Sequence, residues 1–223
     1  MSSVLSDEKI VFMDIAGNND KGFRELTSRW LPKSLQVLHD GEKLGEISKK
    51  LDISGHKVWA IVKNPFQRAV NVWREHYSEL LHAGNKYFPV GESFTKAYFL
   101  IKQGELHQVS LGSGLKPGYI KQTLFLDSEG VDDISFSLMR AETLVEDWKT
   151  FINTLEEENF LFLPNTSIDE IEKGGELKTD KITKSSDWKS YYEDNPKIVE
   201  LIVDMYADDF AAYGYSTDIN SYS

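Results

Sequence analysis

The sequence predicts an α/β fold, a parallel sheet with helices on both faces, and three observations carry that expectation. Residues 58–62, Val-Trp-Ala-Ile-Val, form a continuous apolar run of the kind found in interior parallel strands, where both faces are buried. Phe66, Val70, Trp73, Tyr77 and Leu80 follow at helical spacing, with Pro65 suited to the first helical position. The same succession of strand, loop and helix stands earlier, over residues 9–32, and strands separated by helices pack as a covered parallel sheet.

Taken in order, residues 9–15 read as a strand that ends in Ala16-Gly17-Asn18-Asn19-Asp20-Lys21-Gly22, a cluster of turn formers. Phe23, Leu26 and Trp30 then repeat at helical spacing up to Pro32. Residues 32–55 are polar and predict one short helix. Glycines break residues 82–118, with a helix expected over 93–103. Residues 120–126 and 133–139 read as strands. Leu144, Val145, Trp148, Phe151, Ile152 and Leu155 mark an amphipathic helix, and Glu142 and Glu146 suit its positive N-terminal end. Residues 168–186 read as an exposed loop or lid. Ile198, Leu201, Ile202, Met205 and Phe210 form a last helix, starting at Asn195-Pro196 and stopped by Gly214. With no linker and no repeat, one domain over residues 1–223 is expected.

Composition narrows the chemistry. The formal charge is -11, from 36 acidic and 25 basic residues, so the overall field repels nucleic acid and anionic lipid. A phosphorylated small molecule stays open, because a helix N-terminus and a few local cations act within a Debye length of about 8 Å. There is no cysteine, hence no disulfide and no thiolate site. The first 20 residues lack a signal-peptide pattern and no apolar run is long enough to span a bilayer, so a cytoplasmic protein with no membrane span is expected. Histidines and carboxylates show no metal-ligand spacing, and no metal is expected.

Two strand-to-helix loops, at 16–22 and 63–65, are placed to present backbone N–H groups and a helix dipole to an anion. The first is not a Walker A loop, since that motif needs Lys after Gly22 and the chain has Phe23. Taken alone it reads as a plain β–α turn. At the second, Lys63 ends the strand, while Arg68 and Asn71 share a face of the following helix, so the three can converge on one anion. A solvated helix face is the alternative reading of the same residues.

VWAIVKNPFQRAVNVW, residues 58–73, resembles the block F-x-F-V-R-N-P-x-x-R-x-x-S of sulfotransferases related to the carbohydrate sulfotransferases, with Pro65 and Arg68 in register. HDGEKLGEI at 39–47 is similar to a His-led segment ahead of that block, and Gln122 with Leu126 to a later Gln and strand. FSLMRAETLVED at 136–147 resembles R-x-E-x-L-x-x-D, and Leu163-Pro164-Asn165 resembles an L-P-x-x-N turn shortened by two residues. Tyr191, Tyr206, Asp209, Phe210, Gly214 and Tyr215 resemble a closing Y-x-x-D-F-x-x-F-G-Y segment.

The resemblance implies a P-loop-NTPase-like three-layer fold and a donor, 3′-phosphoadenosine 5′-phosphosulfate, used without a metal. It implies that Lys63, Arg68 and Asn71 hold the donor's 3′-phosphate, Lys63 and Asn71 standing where the family has Arg and Ser. Lys keeps the charge but loses the bidentate fork. The first loop, residues 16–22 with Phe23, would hold the 5′-phosphosulfate through Gly17, Asn18, Asn19, Lys21 and Gly22. The family's I-P-K-T-G-G-T-S departs here: its Lys aligns with Gly17, leaving Lys21 as the cation for the leaving phosphate. Gly17→Lys would then restore the missing charge. His39 is the candidate general base, with His76 and Glu42 behind it. The implied activity is sulfuryl transfer to a hydroxyl, on a carbohydrate acceptor. A binding protein that keeps the pocket without turnover, and an interaction domain with no nucleotide site, are the alternatives.

Overall fold

The protein was analysed as a computed structural model, which describes residues 10–15, 17–18, 38–40, 43–50, 53, 56–82, 90–103, 117–127, 134–157 and 187–222. In chain order its main elements are β1 (Ile10–Asp14), β2 (Leu38–Asp40), α1 (Leu44–Lys50), β3 (Lys57–Val62), α2 (Pro65–His82), α3 (Val90–Lys102), β4 (Ser135–Arg140), α4 (Leu144–Glu157), α5 (Pro196–Met205) and α6 (Ala207–Tyr213). Among the described residues no helix is long and apolar enough to cross a membrane.

The chain divides into two compact units. The first holds the sheet, whose order is β2-β1-β3-β4 with every pairing parallel. The apolar run at 58–62 is β3, an interior strand: Val58, Ala60, Ile61 and Val62 are at most 1% exposed and Trp59 is 8%. Each fully buried large apolar side chain contributes roughly 1.5–3 kcal/mol, enough to outweigh weak local preferences. Helix α4 covers one part of this core through Trp148 and Phe151. The Phe151 ring stands edge-on to Phe12 at 5.5 Å and to Trp59 at 4.5 Å between centroids. The corner from β4 into α4 is fixed by Asp147, whose Oδ2 accepts from the Arg140 N–H at 2.6 Å and the Thr143 hydroxyl at 3.0 Å. The Arg-Ala-Glu-Thr-Leu-Val-Glu-Asp segment therefore has an architectural use.

The second unit comprises Ala16–Asn18, Lys63–Phe125 and Ser185–Ser223. Its core joins Phe66, Val70 and Trp73 of α2 to Phe94 and Tyr98 of α3 and to Ile198, Leu201, Ile202 and Phe210 of α5 and α6. Two helices begin at Asn-Pro pairs, and the mechanism is the same in both. Asn64 Oδ1 accepts from the Phe66 N–H at 2.9 Å, and Asn195 Oδ1 from the Ile198 N–H at 3.3 Å, while Pro takes a position that needs no donor.

Three sequence expectations are corrected. Residues 38–40 form a strand, β2, too short and too polar in His39 and Asp40 to register as one. Residues 120–126 are not a strand but carry the 3₁₀ turn Gln122–Leu124, whose leading N–H groups go to a carboxylate instead of a ladder. The last helix is two: it breaks at Tyr206, at φ -114 and ψ 24, and α6 closes on left-handed Gly214, φ 66. There the Tyr215 N–H reaches back to the Phe210 carbonyl at 3.1 Å. The helix expected over 22–32 and the loop over 168–186 lie outside the described residues.

Candidate functional site

Sheet order singles out one pair of loops. From β1 the chain passes to β2 on one side, and β3 pairs with β1 on the other. The order reverses between β1 and β3, and in open parallel sheets ligands bind beyond the carboxyl ends of the strands at such a reversal. Residues 16–18 follow β1 and residues 63–64 follow β3. They are the start of the 16–22 loop and the 63–65 loop that the sequence picked out; Ala16–Asn18 and residues 63–65 belong to the second unit, and residues 19–22 to the first.

A hydrogen bond joins them. Lys63, 1% exposed, donates from Nζ to the Asn18 carbonyl at 2.8 Å. Asn18 is itself fully buried. An ammonium carries three donors, and the Asn18 carbonyl takes one of them. Arg68, on the second turn of α2, is 2% exposed, and Asn71 is half-buried one turn further on. Burial pushes the phenols of Tyr206 and Tyr213 upward, and the Arg68 charge pulls both the other way. The guanidinium is therefore within electrostatic reach of these two rings.

Gly17 has a structural reason to be glycine. Its φ is +89°, in the left-handed region, and a Cβ built on it would lie 2.5 Å from Val72 Cγ2 and 3.0 Å from Gly118 Cα and O. The first loop is pressed against α2 and the Pro117–Tyr119 turn at this point, which only a residue without a side chain permits. The expectation that Gly17→Lys simply restores a lost cation is thereby corrected: the backbone here has no room for the lysine.

Gln122 and Asp209 complete the cluster. The Gln122 amide brackets the main chain of Lys63, accepting from its N–H at 2.9 Å and donating to its carbonyl at 2.8 Å. The Asp209 carboxylate, from α6, accepts from the Gln122 N–H at 2.8 Å and from the Thr123 N–H and hydroxyl at 2.9 and 3.1 Å. Both residues are 0% exposed. Sequence reasoning matched them to a family pattern but gave neither a role. The usable signal was a polar residue set just ahead of an apolar one, in Gln122-Thr123-Leu124-Phe125 and Asp208-Asp209-Phe210, and it is weak.

Of the remaining candidates, Asn19, Lys21, Gly22 and Phe23 lie outside the described residues, as does Glu42. His39 sits on β2 opposite Met13, in the first unit. His76 is buried on α2, its Nδ1 2.9 Å from the Tyr119 hydroxyl and its ring edge-on to Trp73. Among the described residues no group of three or more histidines and carboxylates is placed to hold a metal ion. Neither protein-family models nor curated proteins give a match to this chain.

Proposed function

We propose that the loops after β1 and β3 form one anion site for 3′-phosphoadenosine 5′-phosphosulfate, and that the protein transfers the sulfuryl group of this donor to a hydroxyl, on a carbohydrate acceptor. The observation that carries the proposal is the Lys63–Asn18 bond, which brings a buried cation to the turn following the neighbouring strand. Lys63 and Arg68 are both buried, just after β3 and at the start of α2, in a chain of net charge -11, and cations are the partners a phosphate dianion requires. Lys63, Arg68 and Asn71 are assigned to the 3′-phosphate, and the 16–22 loop to the 5′-phosphosulfate. A P-loop-like three-layer fold belongs to the same reading.

In the reaction the acceptor oxygen bonds to sulfur as the bond from sulfur to the bridging phosphate oxygen breaks. The bridging oxygen keeps the electron pair and leaves as part of 3′-phosphoadenosine 5′-phosphate. The acceptor proton passes to a base, for which His39 is the candidate, and Lys21 is the candidate cation for the leaving oxygen. Loss of such a stabiliser costs about 10²–10³ in rate, so Lys21 carries the burden that the Gly17 position cannot.

Gly17 also favours a second reading, a protein that binds the nucleotide without turnover. Incubation of the full chain with sulfur-labelled donor and a panel of sugars separates the two. Label on an acceptor, with stoichiometric release of 3′-phosphoadenosine 5′-phosphate, is the expected result. Nucleotide binding with no transfer to any acceptor would leave the second reading standing and remove the first.

A further inference from the structure

The buried chain from α6 to the first loop runs Asp209, Gln122, Lys63, Asn18, all in the second unit. Lys63 is its pivot. Its own N–H and carbonyl are both engaged by one Gln122 side chain, at 2.9 and 2.8 Å, in the manner of a neighbouring strand. Gln122 is fixed in turn, because its N–H and the two donors of Thr123 converge on the Asp209 carboxylate. The lysine side chain thus leaves the end of β3 from an anchored main chain and ends 2.8 Å from the Asn18 carbonyl.

We infer that Gln122 and Asp209 are positioning residues of the anion site, acting on the ligand only through Lys63. The inference rests on the donor-site reading above. Its physical basis is that a charge on a flexible four-carbon stem contributes to a site only in so far as its starting point is fixed. At metal sites, partners one step removed commonly change affinity by about 10–100-fold through the ligand they orient, and a cation that holds an anion is oriented in the same way. Simple packing does not require the arrangement: an apolar residue at 122 would fill the same space and leave the Lys63 main chain unheld.

The test is a double-mutant cycle read by calorimetric titration of the full chain with 3′-phosphoadenosine 5′-phosphate. Gln122→Met keeps the volume and removes both bonds to Lys63, and Asp209→Asn, nearly isosteric, weakens the grip on Gln122 should the first variant fail to fold. Each is expected to raise Kd about tenfold in the native sequence and less than about twofold in a Lys63→Ala background. Ile198→Val, a core change in α5, is the control for general loosening and is expected to leave Kd unchanged. Equal factors in both backgrounds, or no change in Kd for a folded variant, would overturn the inference while leaving the donor site intact. Absence of binding by the native protein would overturn the donor reading and this inference with it.

Discussion

Lys63 donates its ammonium to the main-chain carbonyl of Asn18, 45 residues away in sequence, across 2.8 Å. The cation that follows β3 is therefore a strut for the turn after β1 as well as a candidate phosphate ligand. Lys63→Met keeps the apolar stem and removes the bond, leaving a buried carbonyl that costs about 1–3 kcal/mol. The expected outcome is a lower urea midpoint with an unchanged slope, together with weakened nucleotide binding. An unaltered midpoint would show that the strut contributes nothing.

Gly17→Ala meets both a positive φ and a Cβ 2.5 Å from Val72. A left-handed alanine alone costs on the order of 1 kcal/mol, and the overlap adds to it. Val72→Ala in the same chain is expected to recover the steric share but not the backbone share. Gly17→Lys is expected to destabilise further and to give no gain in sulfuryl transfer. Thermal melts of the single and double variants check the partition.

Tyr98, Tyr119, Tyr192, Tyr206 and Tyr213 are buried, and burial holds each phenol above its ordinary value of 10.0. Above about pH 10 the unfolded chain sheds phenolic protons that the native state keeps, so stability is full below that pH and falls as pH rises toward the folded values. Each fully shielded phenol contributes up to about 1.4 kcal/mol per pH unit. Urea midpoints measured between about pH 8 and about pH 11 are expected to drop at the alkaline end, with the phenolate absorbance of these five of the ten tyrosines appearing together with unfolding. Ionisation of more than five of the ten tyrosines in the folded protein near about pH 10 would contradict this burial.

Asp147 lies in a segment that resembles a family motif, yet its bonds go to Arg140 and Thr143. Asp147→Ala is expected to cost about 1 kcal/mol, the usual loss for a helix cap, and to leave nucleotide affinity as it was. A loss of affinity without a loss of stability would move Asp147 from architecture to the site.

What the sequence made legible was local. The apolar run of β3, the Asn-Pro starts of α2 and α5 and the stop at Gly214 each depend on residues within a turn of one another. The turn at 122–124 was read as a strand because the partner that decides it, Asp209, lies 87 residues on. Periodicity carries no information about a carboxylate that takes the ladder's donors. The same limit hid the tie between Asn18 and Lys63: each loop was recognisable by its turn formers, but not their joining. Gly17 shows a further limit, since comparison with a motif reads it as a missing lysine and only its contacts show it to be a required glycine.

The most direct measurement is calorimetric titration of the full chain with 3′-phosphoadenosine 5′-phosphate at low and at physiological salt. Binding in the micromolar range, about -8 kcal/mol, that weakens with salt and with Lys63→Ala is the predicted result. No heat of binding at millimolar nucleotide would contradict the account, and the buried lysine would then be a structural cation alone.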